Sequence, residues 1–127
     1  MRQFKTGATR NSNINKFDYE GFLSPAVLHE YGAYMHEHRR QADGQLRDSD
    51  NWQKGMPIAE YVKSLIRHTI DLWRAHRGAV VVDRDSGEHV TKIELLCAII
   101  FNAQGCMLEM LKQEERRAKR NGQKRSC

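Results

Sequence analysis

Lys92 to Lys112 reads KIELLCAIIFNAQGCMLEMLK, and this run decides the fold. Wound at about 100° per residue, Ile93, Leu95, Leu96, Ile99, Ile100, Phe101, Met107, Leu108, Met110 and Leu111 leave almost no polar side. A helix apolar nearly all round belongs at the centre of a helical protein, so a central helix is expected from about Lys92 to Lys112 or further. Three polar residues break it. Glu94, Asn102 and Glu109 fall within about 80° of one another, with Ala98 and Gly105 on the same strip, which predicts a polar groove on a buried helix.

Working back along the chain, Ala59 to His76 carries Val62, Leu65, Ile66, Thr69, Ile70 and Trp73 at helical spacing, and Gly78 ends it. Between the two helices, Val80-Val81-Val82 and the turn Asp85-Ser86-Gly87 predict a small β-hairpin. Further back, Ser24-Pro25 starts another helix, Ser as cap and Pro at the first helical position, with Leu28, Tyr31 and Met35 repeating to about Arg40. The connection 41–58 is long for a linker and suggests a job of its own. The expected fold is all-α: a helical bundle of three long helices plus a short one. It divides into an N-terminal arm over 1–23, the bundle over 24–112 and a basic C-terminal tail over 113–127.

The 127 residues, 39% of them apolar, suit one modest core. No stretch approaches the roughly 18 to 20 uncharged apolar residues of a membrane span, and the opening Met-Arg-Gln-Phe-Lys-Thr-Gly has no apolar signal core. No membrane association and a cytoplasmic location are the expectation. Three cysteines without a CxxC pair argue against a disulfide framework or a zinc finger, and Cys97 and Cys106 read as buried thiols. The net charge of +5 is all in the tail, because Lys112 to Cys127 holds seven Lys/Arg against Glu114 and Glu115. Such a tail extends a helix into solvent or offers a contact to nucleic acid.

Candidate chemistry rests on the polar residues of the helices and the long connection. A carboxylate facing other helices costs several kcal/mol unless it is paired or binds a cation, and magnesium is one such partner for Glu94. Thr91-x-x-Glu94 also fits a capping box. Asn102 reads as a ligand-binding amide or a satisfied core amide. His68 and Asp71 share a face beside Arg67, and Glu30 and Glu37 lie seven apart on the first helix, a spacing that suits metal ligands or a solvated stripe. His29, His36 and His38 lack zinc-site spacing and read as surface. Trp52 beside Lys54 suits a stacked base with its phosphate, or a plug at the end of the bundle with Asn51 capping the turn.

Taken together, Thr6-Gly7-Ala8-x-Arg10, Asn51-Trp52-x-Lys54-Gly55-x-Pro57, Arg67-His68 followed by Trp73, and Glu94 eight residues before Asn102 resemble a phage family, the N-terminal domain of dATP/dGTP diphosphohydrolase. The resemblance spans residues 6 to about 109 and implies a helical fold similar to the MazG-like nucleoside triphosphate pyrophosphohydrolases. It implies cleavage of (deoxy)purine nucleoside triphosphates between the α and β phosphates, with magnesium, or manganese in its place, in the cytoplasm of an infected bacterium. Glu94, Phe101-Asn102 and Arg67-His68 take the matching positions. Ser64 and Cys97 stand where the family pattern commonly has histidine, and the ExxE and ExxD carboxylate motifs are not in register.

On this reading His68, Asp71 and Glu94 are catalytic, and Glu30, Glu37, Asp71 and Glu94 hold the metal. Arg10, Lys16, Lys54 and Arg67 neutralise the phosphates, while Asn51, Trp52 and Asn102 hold base or sugar. A homo-oligomer is expected, since MazG-like bundles complete their sites by association. The competing expectation is a non-catalytic phage accessory protein that binds a nucleotide in the same place, or nucleic acid or a host protein through the tail.

Overall fold

A computed structural model describes residues 2–12 and 15–125, with side chains as far as Gly122. Met1, Asn13 and Ile14 of the arm and Ser126 and Cys127 of the tail lie outside the described residues. Among the described residues the protein is mostly helical, about 60% of them, with four α-helices, and carries a small two-stranded antiparallel sheet.

The arm supplies the sheet. Strands β1 (Arg2–Gln3) and β2 (Thr9–Arg10) pair Arg2 with Arg10 and Gln3 with Thr9 across a turn at Gly7. A short helix α1 (Tyr19–Phe22) follows, capped by Asp18, whose carboxylate accepts from the Gly21 N–H. Helix α2 (Pro25–Glu37) begins as expected, with the Ser24 hydroxyl accepting from Val27 N–H at 3.3 Å. It ends three residues before Arg40, where the chain turns into a loop bridged at Arg40 and Leu46. A single 3-10 turn, Asn51–Lys54, leads through Gly55 and Pro57 into α3 (Ile58–His76). The final helix α4 (Lys92–Arg125) continues through the expected boundary at Lys112. The described part of the basic tail is therefore a helical extension, exposed from Gln113 to Gly122.

Between α3 and α4 the expected hairpin reduces to one bridge, Val82 with His89. The turn is built around Asp83, whose carboxylate accepts from the N–H groups of Asp85 and Ser86 at 2.9 Å. Side-chain turn chemistry of this kind competes with a ladder and replaces it here.

Helices α3 and α4 pack antiparallel, and the strip read as a polar groove is their contact line. Leu95, Ala98, Asn102 and Cys106 are all buried there. Tyr61, 1% exposed, lies across Gly105, where a Cβ would run into its ring. The small residues make room for a neighbour and leave no groove. Asn102 is satisfied within its own helix, donating to Ala98 O at 2.8 Å. Helix α2 meets α4 near its first turns, where Cys97 Sγ lies 4.0 Å from Glu30 O.

The expectation of a fully buried central helix is corrected. Among the described residues α3, part of α2 and the turn at Trp52 to Gly55 lie against α4 on some of its sides, and Ile93, Leu96, Met107, Met110 and Leu111 remain exposed. By length and composition α4 is apolar enough to cross a membrane, more than the count of uncharged residues suggested, and 33% of that stretch is buried within the molecule.

Candidate functional site

The long connection, singled out for its length, forms one wall of a cleft of about 580 Å³. Its other walls are the C-terminal half of α2 and the start of the α3–α4 pair, and its size suits a small-molecule ligand. Aromatic groups line one part. Trp52 meets Phe101 edge to face with ring centroids 6.3 Å apart, and Phe101 meets Tyr61 in the same way at 6.3 Å. Tyr34 stacks on His38 at 4.0 Å, and the His38 Nδ1 lies 2.8 Å from Tyr34 O. Burial pushes the Tyr34 phenol up to about 12, with Cys97, Glu94 and Tyr31 adding to the shift, so it stays a neutral O–H at physiological pH.

Cations line the rest. Arg39, Arg47 and Lys54 face the cleft with Asp48 as the one carboxylate in its lining. The two arginines brace the 39–47 loop: Arg39 Nε donates to Arg47 O at 2.7 Å, and Arg47 Nη2 donates to His38 O at 2.6 Å. Each guanidinium keeps further N–H groups for an anion, because it carries five. Lys54 makes no ion pair among the described residues. Gly55, at φ +88°, ends the turn that holds Trp52 and Lys54, and a Cβ there would meet the Glu109 carboxylate. Lys112 fastens the same turn by donating to Gln53 O at 3.0 Å while pairing with Glu109 at 3.2 Å.

Of the residues expected to bind substrate, Asn51, Trp52 and Lys54 line this cleft together. Asn102 does not, being buried and bonded to Ala98 O of its own helix. Arg10 stands in the arm's sheet, Lys16 is exposed in the arm, and Arg67 reaches Ser64 Oγ at 2.9 Å on the surface of α3.

The expected catalytic and metal-binding residues lie elsewhere. Glu94 closes a capping box, accepting from Thr91 N–H and Oγ1 at 3.3 and 3.1 Å while the Thr91 hydroxyl accepts from Glu94 N–H at 3.1 Å. Asp71 pairs with Arg74 at 3.3 Å. Glu30 and Glu37 are exposed on α2. Glu30 and Glu94 both border Cys97, whose thiol is pushed up by burial first and by those two carboxylates next. Among the described residues no three His, Cys, Asp or Glu side chains converge as a metal site. His68 has a buried Nδ1 with no hydrogen-bond partner among the described residues, and desolvation, reinforced by Arg67 and opposed by Asp71, holds its pKa below 6.5.

Sequence reasoning missed Tyr34, His36, His38, Arg39, Arg47, Tyr61 and Phe101 as cleft residues. The signal within reach was Arg39 and Arg47 flanking Asp43-Gly44, a turn that folds two cations back to the same place. The chain matches no protein-family model, no curated protein and no solved structure.

Proposed function

We propose that the protein binds a (deoxy)purine nucleoside triphosphate in this cleft. The observation that carries the reading is the meeting of Trp52 with Arg39, Arg47 and Lys54 around one cavity. An aromatic face takes a base of either ring size, and guanidinium and ammonium groups take a phosphate chain. The cleft's charge, three cations against Asp48, suits a polyanion that an acidic cleft would repel.

Hydrolysis of that nucleotide between its α and β phosphates is the activity the sequence resemblance implies, and it is the enzyme reading we retain. Magnesium needs converging oxygen ligands. The described carboxylates of one protomer do not fit that demand, because Glu94 is held by Thr91, Asp71 by Arg74, and Glu37 stands apart on α2. No hydrolytic step is therefore assigned to them. The same observation favours the second reading, an accessory protein that holds the nucleotide without cleaving it. In either case we propose that the three long helices become a closed bundle by association with a second copy.

The test uses the two tryptophans of the chain. In a Trp73→Phe variant Trp52 is the sole reporter, and titration with dATP and dGTP should quench its emission saturably. Pyrophosphate release is followed in parallel with magnesium, with manganese and with EDTA. Quenching with metal-dependent release establishes the hydrolase, and quenching alone establishes the accessory binder. A folded protein with neither response to any triphosphate refutes the reading.

A further inference from the structure

Two polar side chains in the wall of the cleft are left unused by the fold. Asn51 N–H donates to Asp48 O at 3.0 Å, closing a turn that leads directly into Trp52. Asp48 stands at the first place of this turn, where an aspartate ordinarily bonds a backbone N–H of its own loop. Asp18, Asp43 and Asp83 do so in their turns, accepting from Gly21, from Gln45, and from Asp85 with Ser86. Asp48 does not. Among the described residues its carboxylate accepts no hydrogen bond and forms no ion pair, and the Asn51 side-chain amide is equally unbonded. The guanidinium groups that share the cleft, Arg39 and Arg47, donate to backbone carbonyls instead. Asp48 and Asn51 both line the cleft with Trp52, whereas Asp50, the other aspartate of the turn, does not.

A purine stacked on Trp52 presents its edge to the polar groups that flank the ring. The turn holds the Cα atoms of Asp48 and Asn51 within about 7 Å, close enough for both side chains to meet one base edge. An ionised carboxylate only accepts, while a carboxamide donates and accepts. Guanine carries two adjacent donors, N1–H and the 2-amino group, beside the O6 acceptor. A carboxylate takes both donors in parallel, as it takes the fork of a guanidinium, and an amide N–H meets O6. Adenine has an acceptor at N1 and no 2-amino group, so the same carboxylate would face the N1 lone pair. Phosphate offers Asp48 nothing to bond, since both are acceptors. Its partner is therefore at the base end of the ligand, and Arg39, Arg47 and Lys54 are left to the triphosphate.

Given the nucleotide reading above, on which this selection rests, we propose that Asp48 is the specificity-determining residue of the cleft and selects guanine over adenine, with Asn51 donating to O6. Asp48 is exposed, so its bonds compete with water, and the preference falls at the low end of what hydrogen bonds to a charged group give, about tenfold.

Calorimetric titration of the full chain with dGTP, dITP and dATP, with EDTA present to hold off turnover, tests this. dGTP should bind about tenfold tighter than dATP, and dITP, which keeps N1–H but lacks the 2-amino group, should fall between them. Asp48→Asn should bring dGTP and dATP within about twofold of each other. Its dATP affinity should hold or rise, because a negative charge leaves a cleft that takes phosphates. The substitution removes no hydrogen bond of the turn, and circular dichroism checks that the helices remain. Equal binding of dGTP and dATP by the parent chain, or tighter binding of dATP, overturns the selection of guanine and leaves the nucleotide reading standing. dITP binding as tightly as dGTP overturns the two-donor contact in the parent chain alone, without recourse to the variant. A dGTP preference that survives Asp48→Asn takes the role away from Asp48. No binding of any of the three overturns the nucleotide reading and the selection together.

Discussion

Replacing Gly105 by alanine sets two known magnitudes against each other. Alanine in a helix interior is favoured over glycine by about 1 kcal/mol. At this position, however, the new methyl would stand 2.6 Å from Tyr61 Cζ, with another ring carbon nearer still. Tyr61 cannot swing aside, being 1% exposed and packed edge to face against Phe101. Overpacking of this kind costs about 1 to 3 kcal/mol and here exceeds the propensity gain, leaving a net loss of about 1 kcal/mol, up to about 2. Gly32 on α2 supplies the control, because a Cβ there meets nothing within 4 Å. Gly32→Ala should stabilise by up to about 1 kcal/mol. Thermal unfolding followed at 222 nm, at one fixed protein concentration because association shifts the midpoint, should place Gly105→Ala roughly 4 to 8 °C below the parent and Gly32→Ala above it. A Gly105→Ala midpoint raised as far as that of Gly32→Ala would show that Tyr61 does not pack on α4 at Gly105, and the α3–α4 register would fall with it.

Other outcomes follow from the site and the caps. Lys54→Ala should weaken nucleotide binding by roughly tenfold, the worth of about 1.4 kcal/mol, and flatten its salt dependence; calorimetric titration at two ionic strengths checks both. Thr91→Ala opens the capping box of α4 and should cost about 1 kcal/mol in urea unfolding, with Thr91→Ser recovering most of the loss. The His68 imidazole should titrate below 6.5 in a proton NMR pH series. The sign then follows: the unfolded chain takes up that proton first, so this histidine's contribution to stability is complete above pH 6.5 and declines as pH falls toward the lowered folded value. A midpoint at or above 6.5 would mean that its ring is hydrated.

The helices were legible because their signals are local. Ser24-Pro25 and Thr91-x-x-Glu94 are caps, and each cap marks a helix start. The arm's sheet was not legible, since two-residue strands around Gly7 have no apolar alternation to announce them. Periodicity showed that α4 is apolar on several sides but not which sides have neighbours, so an apolar helix was read as a buried one. The strip holding Ala98, Asn102 and Gly105 shows the same limit, for polarity marks a groove only when nothing large lies across it, and Tyr61 does. At the candidate site, Asn51, Trp52 and Lys54 stood out because aromatic and cationic residues are adjacent in sequence. Arg39, Arg47 and Tyr34 come to them only through the fold of the long connection. Where the carboxylates point depends on competing hydrogen bonds, and Glu94 has two from Thr91.

Lys112 is numbered with the basic segment, yet its ammonium is already committed to Gln53 O and Glu109. It works as a clasp between the long helix and the turn that presents Trp52. Deletions of the C-terminal segment are thus sharply sensitive to their boundary. A chain ending at Lys112 loses the extension and keeps the clasp, so it asks only what the exposed cations do. A chain ending at Leu111 also frees the wall of the cleft, and any loss of binding it shows belongs to the turn and not to the tail.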